Sequence, residues 1–280
     1  MKILLAAHFF PPGRNAGAER RALGYAVALQ KLGHAVQVVC AGDWEAGGQH
    51  WNGYRDEVYQ GVPVRRVNLN WTRAHDPNRS LYDNPLVEEH LSGWLAEWQP
   101  DVVHAISLIT LGAGLARAVK KAGIPLVFTL VDFWMICPKI SLVRGDGSLC
   151  DGQTTNWDCL KCLLWNTRIY HGLSRALPAA AIEGLLTFAS RQAWLNRQRG
   201  LRGMALDMAD RRRTMAEIGS LADCVTAPST HLGKLIDASG IFPRPVQVIH
   251  SGHDLAWLAD MPERQPAEVL RLGYIGQLIP

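Results

Sequence analysis

The chain has 280 residues, 48% of them hydrophobic and 19% charged, a composition that can bury a sizeable core and that excludes a disordered or fibrous protein. Its net charge of +4 is small, and without a nucleic-acid-binding motif it argues against a nucleic-acid reader. The charge is uneven: residues 163–213 hold nine Arg and no Lys against Glu183, Asp207 and Asp210, so +6 lies there and −2 over the rest.

Ile3–Ala7 is a short apolar run that reads as a buried strand, broken by Pro11, Pro12 and Gly13. The same stretch faintly resembles a signal peptide, but its apolar part is short, contains His8 and meets Pro-Pro-Gly without a cleavage site. After Gly17, apolar residues at Ala22, Leu23, Ala26, Val27, Leu29 and Leu32 follow helical spacing. Strand, glycine-containing loop and helix is the opening of a nucleotide-handling α/β unit, because a helix N-terminus offers unpaired N–H groups and a positive dipole end to a phosphate. Gly33-His34 stops this helix. Ala35–Ala41 is a second strand, Gly42–Gly61 a polar loop rich in Gly and Trp, and Val62–Leu69 a third strand with Pro63 near its start. Asn70–Asp83 reads as a loop. Asn84–Trp98 reads as a helix with Leu86, Val87, His90, Leu91, Trp94, Leu95 and Trp98 on one face.

Strand Val102–Ala105, helix Leu108–Ala122 and strand Pro125–Leu130 follow. The alternation stops between Cys137 and Ala222, which marks an insertion. It resumes with strand Ala222–Ala227, a helix capped by Ser229 and running to Ser239, and strand Val246–Ile249. Pro262–Glu268 resembles a linker, and Leu270–Gly276 reads as a fresh strand. The expected fold class is therefore α/β: a Rossmann-like, doubly wound parallel sheet with a helical, cysteine-containing insertion. Residues 1–262 form the main domain, with the insertion at about 137–221; residues 263–280 are expected to form a linker and the first strand of a truncated second domain, the rest of it missing or supplied elsewhere. No stretch reaches the ~20 apolar residues that span a bilayer, so the expected location is cytoplasmic, with contact at the inner membrane surface left open.

Ligands of doubly wound sheets bind at the carboxyl ends of the strands, which singles out His8, His104, Asp132 and Ser251-Gly252. Either histidine reads equally as an ordinary core or surface residue. Gly17 lets backbone approach a ligand closely and Glu19 sits in the first helical turn; the alternative is a plain strand-to-helix connection. A GxGxxG pattern is missing, which disfavours a nicotinamide-dinucleotide enzyme. Asp132, flanked by large apolar residues, suits a desolvated base or hydroxyl acceptor, or else a turn cap.

Cys40 and Cys224 fall in strands and read as small buried groups. Cys137, Cys150, Cys159 and Cys162, separated by 12, 8 and 2 residues, can make a tetrahedral structural zinc site, with four ordinary free thiols as the alternative. Trp194, Leu201, Met208 and Met215 repeat every seven residues. Together with Arg197, Arg199, Arg202 and Arg211–Arg213, they read as a basic amphipathic surface for a membrane or anionic acceptor, or as packed helices with a solvated basic face.

The stretch HFFPPGRNAGAE resembles the opening motif of glycosyltransferase family 4, retaining transferases of the GT-B fold; Ala16 stands where the motif has its first glycine. DVVHAIS, TLVDFWMIC, ADCVTAPSTHL and VQVIHSGHD resemble, in order, later landmarks of the same N-terminal domain. LRLGYIGQLIP resembles the start of the C-terminal domain, so the likeness covers essentially the whole chain. The segment from Cys137 to Cys162 also looks like one found in a subset of these enzymes. The resemblance implies two Rossmann-like domains facing a cleft, a UDP- or GDP-sugar donor held mostly by the C-terminal one, and a glycan or lipid-linked acceptor held by the N-terminal one. It implies no metal for the diphosphate.

By motif position, Gly17 faces the donor phosphates, Asp132 is the catalytic candidate near the transferred sugar, and Ser251 and Gly252 lie near the interdomain crossing. His8, Glu19 and His104 are acceptor-side candidates. Two departures stand out: Val131 replaces a frequent His, and Gln277 sits where Arg often follows the glycine. The donor-binding Arg, Lys and paired Glu of the family belong to its C-terminal domain. The implied function is sugar transfer, with these residues inactive alone because leaving-group stabilisation is a main catalytic term. The alternative is a non-catalytic binding module or half-enzyme that pairs with a separate donor-binding domain.

Overall fold

The computed structural model describes residues 1–42, 47–165, 167–190 and 204–252, together with the single positions 259, 261, 269 and 273. The chain divides into a unit Met1–His250 and a unit Ser251–Pro280. The expected linker and the strand Leu270–Gly276 lie outside the described residues, except for Gly273, as does Gln277.

The first unit is built on an eight-stranded sheet of order β3-β4-β2-β1-β5-β6-β7-β8. The strands are β1 (Lys2–Ala7), β2 (Ala35–Ala41), β3 (Trp51–Tyr59), β4 (Val62–Leu69), β5 (Val102–Ala105), β6 (Leu126–Thr129), β7 (Cys224–Ala227) and β8 (Gln247–Val248). All neighbours pair in parallel except β3 with β4. β1 is buried along Ile3–Ala7 because it lies mid-sheet with side chains covered on both faces. Leu4, Ala6, Val39, Val103 and Phe128 pack on one face with α3 (Pro85–Trp98), α4 (Gly112–Lys121) and α9 (Thr230–Ser239). Leu5, Ala7, Val38 and Val64 pack on the other with Ala22 and Ala26 of α1 (Gly17–Lys31).

The expected loop at 42–61 is corrected: β3 occupies Trp51–Tyr59 and pairs antiparallel with β4. Tyr59 pairs with Val62 across a two-residue turn in which Gln60 and Gly61 both have positive φ, 50° and 78°, the backbone that a tight hairpin requires. The strand is held by the Asp56–Arg65 and Glu57–Arg66 pairs, so its stabilising signal is cross-strand charge. Residues 70–83, expected as a loop, include a one-turn helix α2 (Pro77–Ser80) capped by Asp76. The helix expected from Leu108 begins only at Gly112, because Thr110 turns the chain with φ 75°.

The insertion is helical, as expected: α5 (Asn156–Leu164), α6 (Arg168–Ala176), α7 (Ala179–Ser190) and α8 (Met204–Leu221). It has a small core of its own around Leu160, Leu164, Tyr170 and Met208. α8 bridges the two cores, since Met215 and Ile218 are fully buried in the main one. The apolar repeat at Met208 and Met215 is thus core packing. Trp194, Leu201, Arg197, Arg199 and Arg202 lie outside the described residues.

Candidate functional site

The strand order reverses between β1 and β5, and in open α/β sheets the crevice beyond the carboxyl ends at such a point binds ligands. The loops leaving these two strands meet there. His8, just past β1, places Nδ1 3.1 Å from the Ile109 carbonyl and 3.2 Å from Thr110 Oγ1. Burial pushes the His8 imidazole down to about 4, opposed by the Ile109 hydrogen bond and aided by Arg14. Thr110 is itself buried, its N–H donating to the Leu81 carbonyl at 2.8 Å. Beside it, Ala41, His50, Leu69, Trp71, Ser80 and Leu81 line a narrow pocket. His50 donates Nδ1–H to the Asn70 carbonyl and accepts from Asn84 at Nε2, at 3.0 and 3.1 Å, which links the loop after β4 to the start of α3.

The loop between β1 and α1 is anchored from below. Arg66 is 3% exposed and donates to the carbonyls of Phe10 and Pro11 at 2.9 and 2.5 Å, and to Glu57 at 2.7 Å. A cation on a mid-sheet strand is costly unless its donors are used. Here they fix the loop that leads to Gly17. α1 begins at Gly17 after Ala16, whose side chain caps no N–H. A Cβ on Gly17 would meet nothing within 4 Å, so nothing described in the structure requires glycine there. Glu19 is buried and its Oε2 has no hydrogen-bond partner among the described residues.

Asp132 follows β6. Its Oδ1 accepts the Trp134 N–H at 2.8 Å, so it does cap a turn. Burial raises its carboxyl above the ordinary carboxylate range, with the Trp134 N–H pulling the other way. The turn is held from α8 by Arg211, which donates to the Trp134 carbonyl and lies 5.4 Å from the centre of its ring.

His104 lies within β5, facing α1. Its Nε2 is 2.7 Å from Thr129 Oγ1, which is 2.8 Å from Thr226 Oγ1, and its ring stacks on Tyr25 at 5.4 Å. Burial pushes it down to about 4. His8 and His104 are therefore not brought together. Ser251 and Gly252 open the second unit.

Cys40 is buried, which pushes its thiol up to about 12. Cys137, Cys150, Cys159 and Cys162 are all free and line one cavity. No three His, Cys, Asp or Glu side chains among the described residues stand as a group that could hold a metal, so the expected zinc cluster is not assembled.

Arg66, Thr110, His50 and Trp71 escaped the sequence reading, and Arg211, expected on a basic surface, is instead buried against the Trp134 turn. The charged pair Arg65-Arg66 inside an otherwise apolar strand was a usable signal. Thr110 carried none, since the groups that hold it, the Leu81 carbonyl and the His8 ring, are distant in the sequence.

A family model described as "Glycosyl transferase 4-like domain" matches residues 16–252. A search of curated proteins finds no match. Among solved structures, Anabaena HepE in complex with UDP is similar at 17% identity and TM-score 0.42, over 91% of this chain and 45% of that one. The catalytic domain of Arabidopsis thaliana starch synthase IV, bound to ADP and acarbose, is similar at 14% identity and TM-score 0.41, over 90% and 52%. A trehalose-phosphate synthase (UDP-forming) from Burkholderia xenovorans, in complex with glucose-6-phosphate, follows at 12% identity and TM-score 0.32, over 92% and 76%. The chain thus spans about half the length of the first two.

Proposed function

The chain belongs to the glycosyl transferase 4-like domain family, and on that premise we propose that the Met1–His250 unit is the acceptor-side half of a retaining glycosyltransferase of the GT-B type. The donor is a UDP- or GDP-sugar whose nucleotide is held largely by a second domain, and the acceptor is a glycan or lipid-linked glycan. The acceptor lies over the carboxyl ends of β1 and β5 near His8, outside the narrow pocket at Trp71 and Thr110, whose roughly 10 Å³ admits no sugar ring. The donor diphosphate meets the uncapped N–H groups of α1 at Gly17, where the helix end favours anions. Buried Asp132 accepts a hydroxyl proton or hydrogen bond near the transferred sugar, and Glu19 Oε2 accepts from a ligand hydroxyl.

The observation that carries this reading is the empty space over Gly17, in a helix end with no side-chain cap. The absence of a side chain is not demanded by this unit's own packing, so it is free to serve a ligand. Gly17→Val in the enzyme complete with its donor-binding domain should melt within about 1 kcal/mol of wild type while transfer falls at least about tenfold, or about 1.4 kcal/mol. Wild-type transfer rates in a normally folded Gly17→Val protein would refute the phosphate contact.

Residues 1–250 alone should show little or no transfer, since the groups that stabilise the leaving diphosphate belong to the other domain. The self-contained core of this unit also suits a half-enzyme or binding module that recruits a separate donor-binding chain. Transfer that appears only on mixing with such a chain would select that form. No helix among the described residues is long and apolar enough to cross a membrane. For a lipid-linked acceptor we place the protein at the cytoplasmic membrane surface. Exposed Leu177, Leu185 and Phe188, beside the exposed Arg168 and Arg175, support that placement.

A further inference from the structure

We infer that Cys137, Cys150, Cys159 and Cys162 form a structural tetrathiolate zinc site that fastens the loop after β6 to the helical insertion. The inference does not rest on the transferase reading.

The first ground is convergence. Cys137 follows the Asp132 turn and Cys150 follows the Val143–Leu149 bridge, while Cys159 and Cys162 lie one turn apart on α5. These three segments deliver all four thiols to the lining of one cavity, whereas Cys40 and Cys224 sit in the sheet. Residues three apart on a helix share a face, which is why the last pair arrives together.

Size is the second ground. The cavity holds about 30 Å³, room for an ion or one to two waters but not for a sugar ring. The third ground is charge. Four thiolates around Zn²⁺ carry a net charge of about −2. Lys139 and Arg144 line the same cavity, and Arg212 reaches within 3.9 Å of Cys159 Sγ while also donating to the Thr154 carbonyl. Thr154 Oγ1 is 3.1 Å from the same sulfur. The one carboxylate in the lining, Asp158, is committed to Thr155 and Lys161. Arg144 and Arg212 already donate to the Leu149 and Thr154 carbonyls, so the cations do not require the metal, but their charge favours a tetrathiolate over a carboxylate-rich site.

The sulfurs do not stand as a finished ligand set, and a preformed site is not required, since metal binding and local folding are coupled. Zn²⁺ displaces the thiol protons and draws the four sulfurs together. That closure ties the segment beginning five residues after Asp132 to α5.

The test is metal analysis of the full-length protein, purified without chelator. About one zinc per chain is expected, and Co²⁺ added after zinc removal should give sulfur-to-cobalt absorption in the near ultraviolet with tetrahedral d–d bands. The double variant Cys159→Ser, Cys162→Ser should lose both, and Cys40→Ser should keep both. If the double variant fails to fold, the wild-type cobalt spectrum decides alone. Less than about half an equivalent of zinc with no cobalt–thiolate bands would overturn the inference. So would a thiol titration of the denatured, metal-free protein that finds two of the six cysteines reactive, since the four would then be disulfides.

Discussion

Thr110 Oγ1 lies 3.2 Å from His8 Nδ1, joining the loops that leave β1 and β5 where the strand order reverses. The contact is made by a residue with φ 75°, a region that costs a β-branched side chain about 1–2 kcal/mol. Thr110→Ala removes the hydroxyl and keeps most of the strain, so it should destabilise by about 1–2 kcal/mol. Thr110→Gly removes the strain too and should be about 1 kcal/mol more stable than Thr110→Ala. Urea unfolding of the two variants checks the order. The reverse order would mean that the backbone there is not strained.

The two buried histidines make stability depend on pH in a defined window. Each imidazole is pushed from its ordinary 6.5 to about 4 by burial. The unfolded chain therefore binds more protons than the folded one between these values. Their contribution is fully present above 6.5 and is lost as the pH falls through 6.5 to about 4, at most about 3 kcal/mol per histidine. The raised carboxyl of Asp132 acts oppositely, since the folded state holds its proton more firmly, and offsets part of the loss at the acid end. Urea midpoints measured from pH 7.5 to 5 should fall, and His104→Gln should remove part of the slope, the rest coming from His8 and from His90, whose imidazole burial also lowers. A flat profile in wild type would show that both rings protonate freely in the fold.

Arg66 should be among the costliest residues to truncate. Arg66→Met leaves the carbonyls of Phe10 and Pro11 without their donor, an expected loss of about 2–4 kcal/mol. Glu57→Gln should cost under about 1 kcal/mol, because Glu57 is 32% exposed and its pairing is screened by water. Hydrogen exchange should then show the loop at residues 11–16 opening in Arg66→Met but not in Glu57→Gln. Equal effects would mean that the ion pair, not the carbonyl contacts, holds Arg66.

How far these features could be seen in the sequence depended on where their signal lay. β1, β2 and β4 are runs whose own apolar residues say that they are buried, and Ser229 is a cap whose chemistry is local. β3 is different. Its residues Tyr54, Arg55 and Asp56 are exposed and its stabilising partners lie on β4 across the turn, so no periodicity marks it. The site divides the same way. Gly17 and Asp132 sit in local patterns, whereas the pairing of His8 with Thr110 spans 102 residues and exists only once β1 and β5 are adjacent. Arg211 read as part of a basic surface, yet it is 6% exposed, because the loop after β6 brings the Trp134 carbonyl to it.

Gly114 gives a case in which helix propensity and packing oppose each other. It lies inside α4, where replacing Gly by Ala gains about 1 kcal/mol on propensity alone. A Cβ at this position would stand 2.8 Å from the Asn84 carbonyl oxygen and 2.9 Å from the Glu88 backbone nitrogen. Both belong to the start of α3 and neither can rotate away, so α3 and α4 must separate, at a cost of about 1–3 kcal/mol or more for a rigid overlap. Packing should win. Gly114→Ala is expected to destabilise by about 1–2 kcal/mol net, and the shift should reach the crevice, because Asn84 also donates to His50 Nε2. Gly17→Ala is the matched control, with open space around its Cβ and no loss expected. Thermal unfolding of the pair decides: a Gly114→Ala protein as stable as wild type would mean that α3 and α4 do not approach this closely.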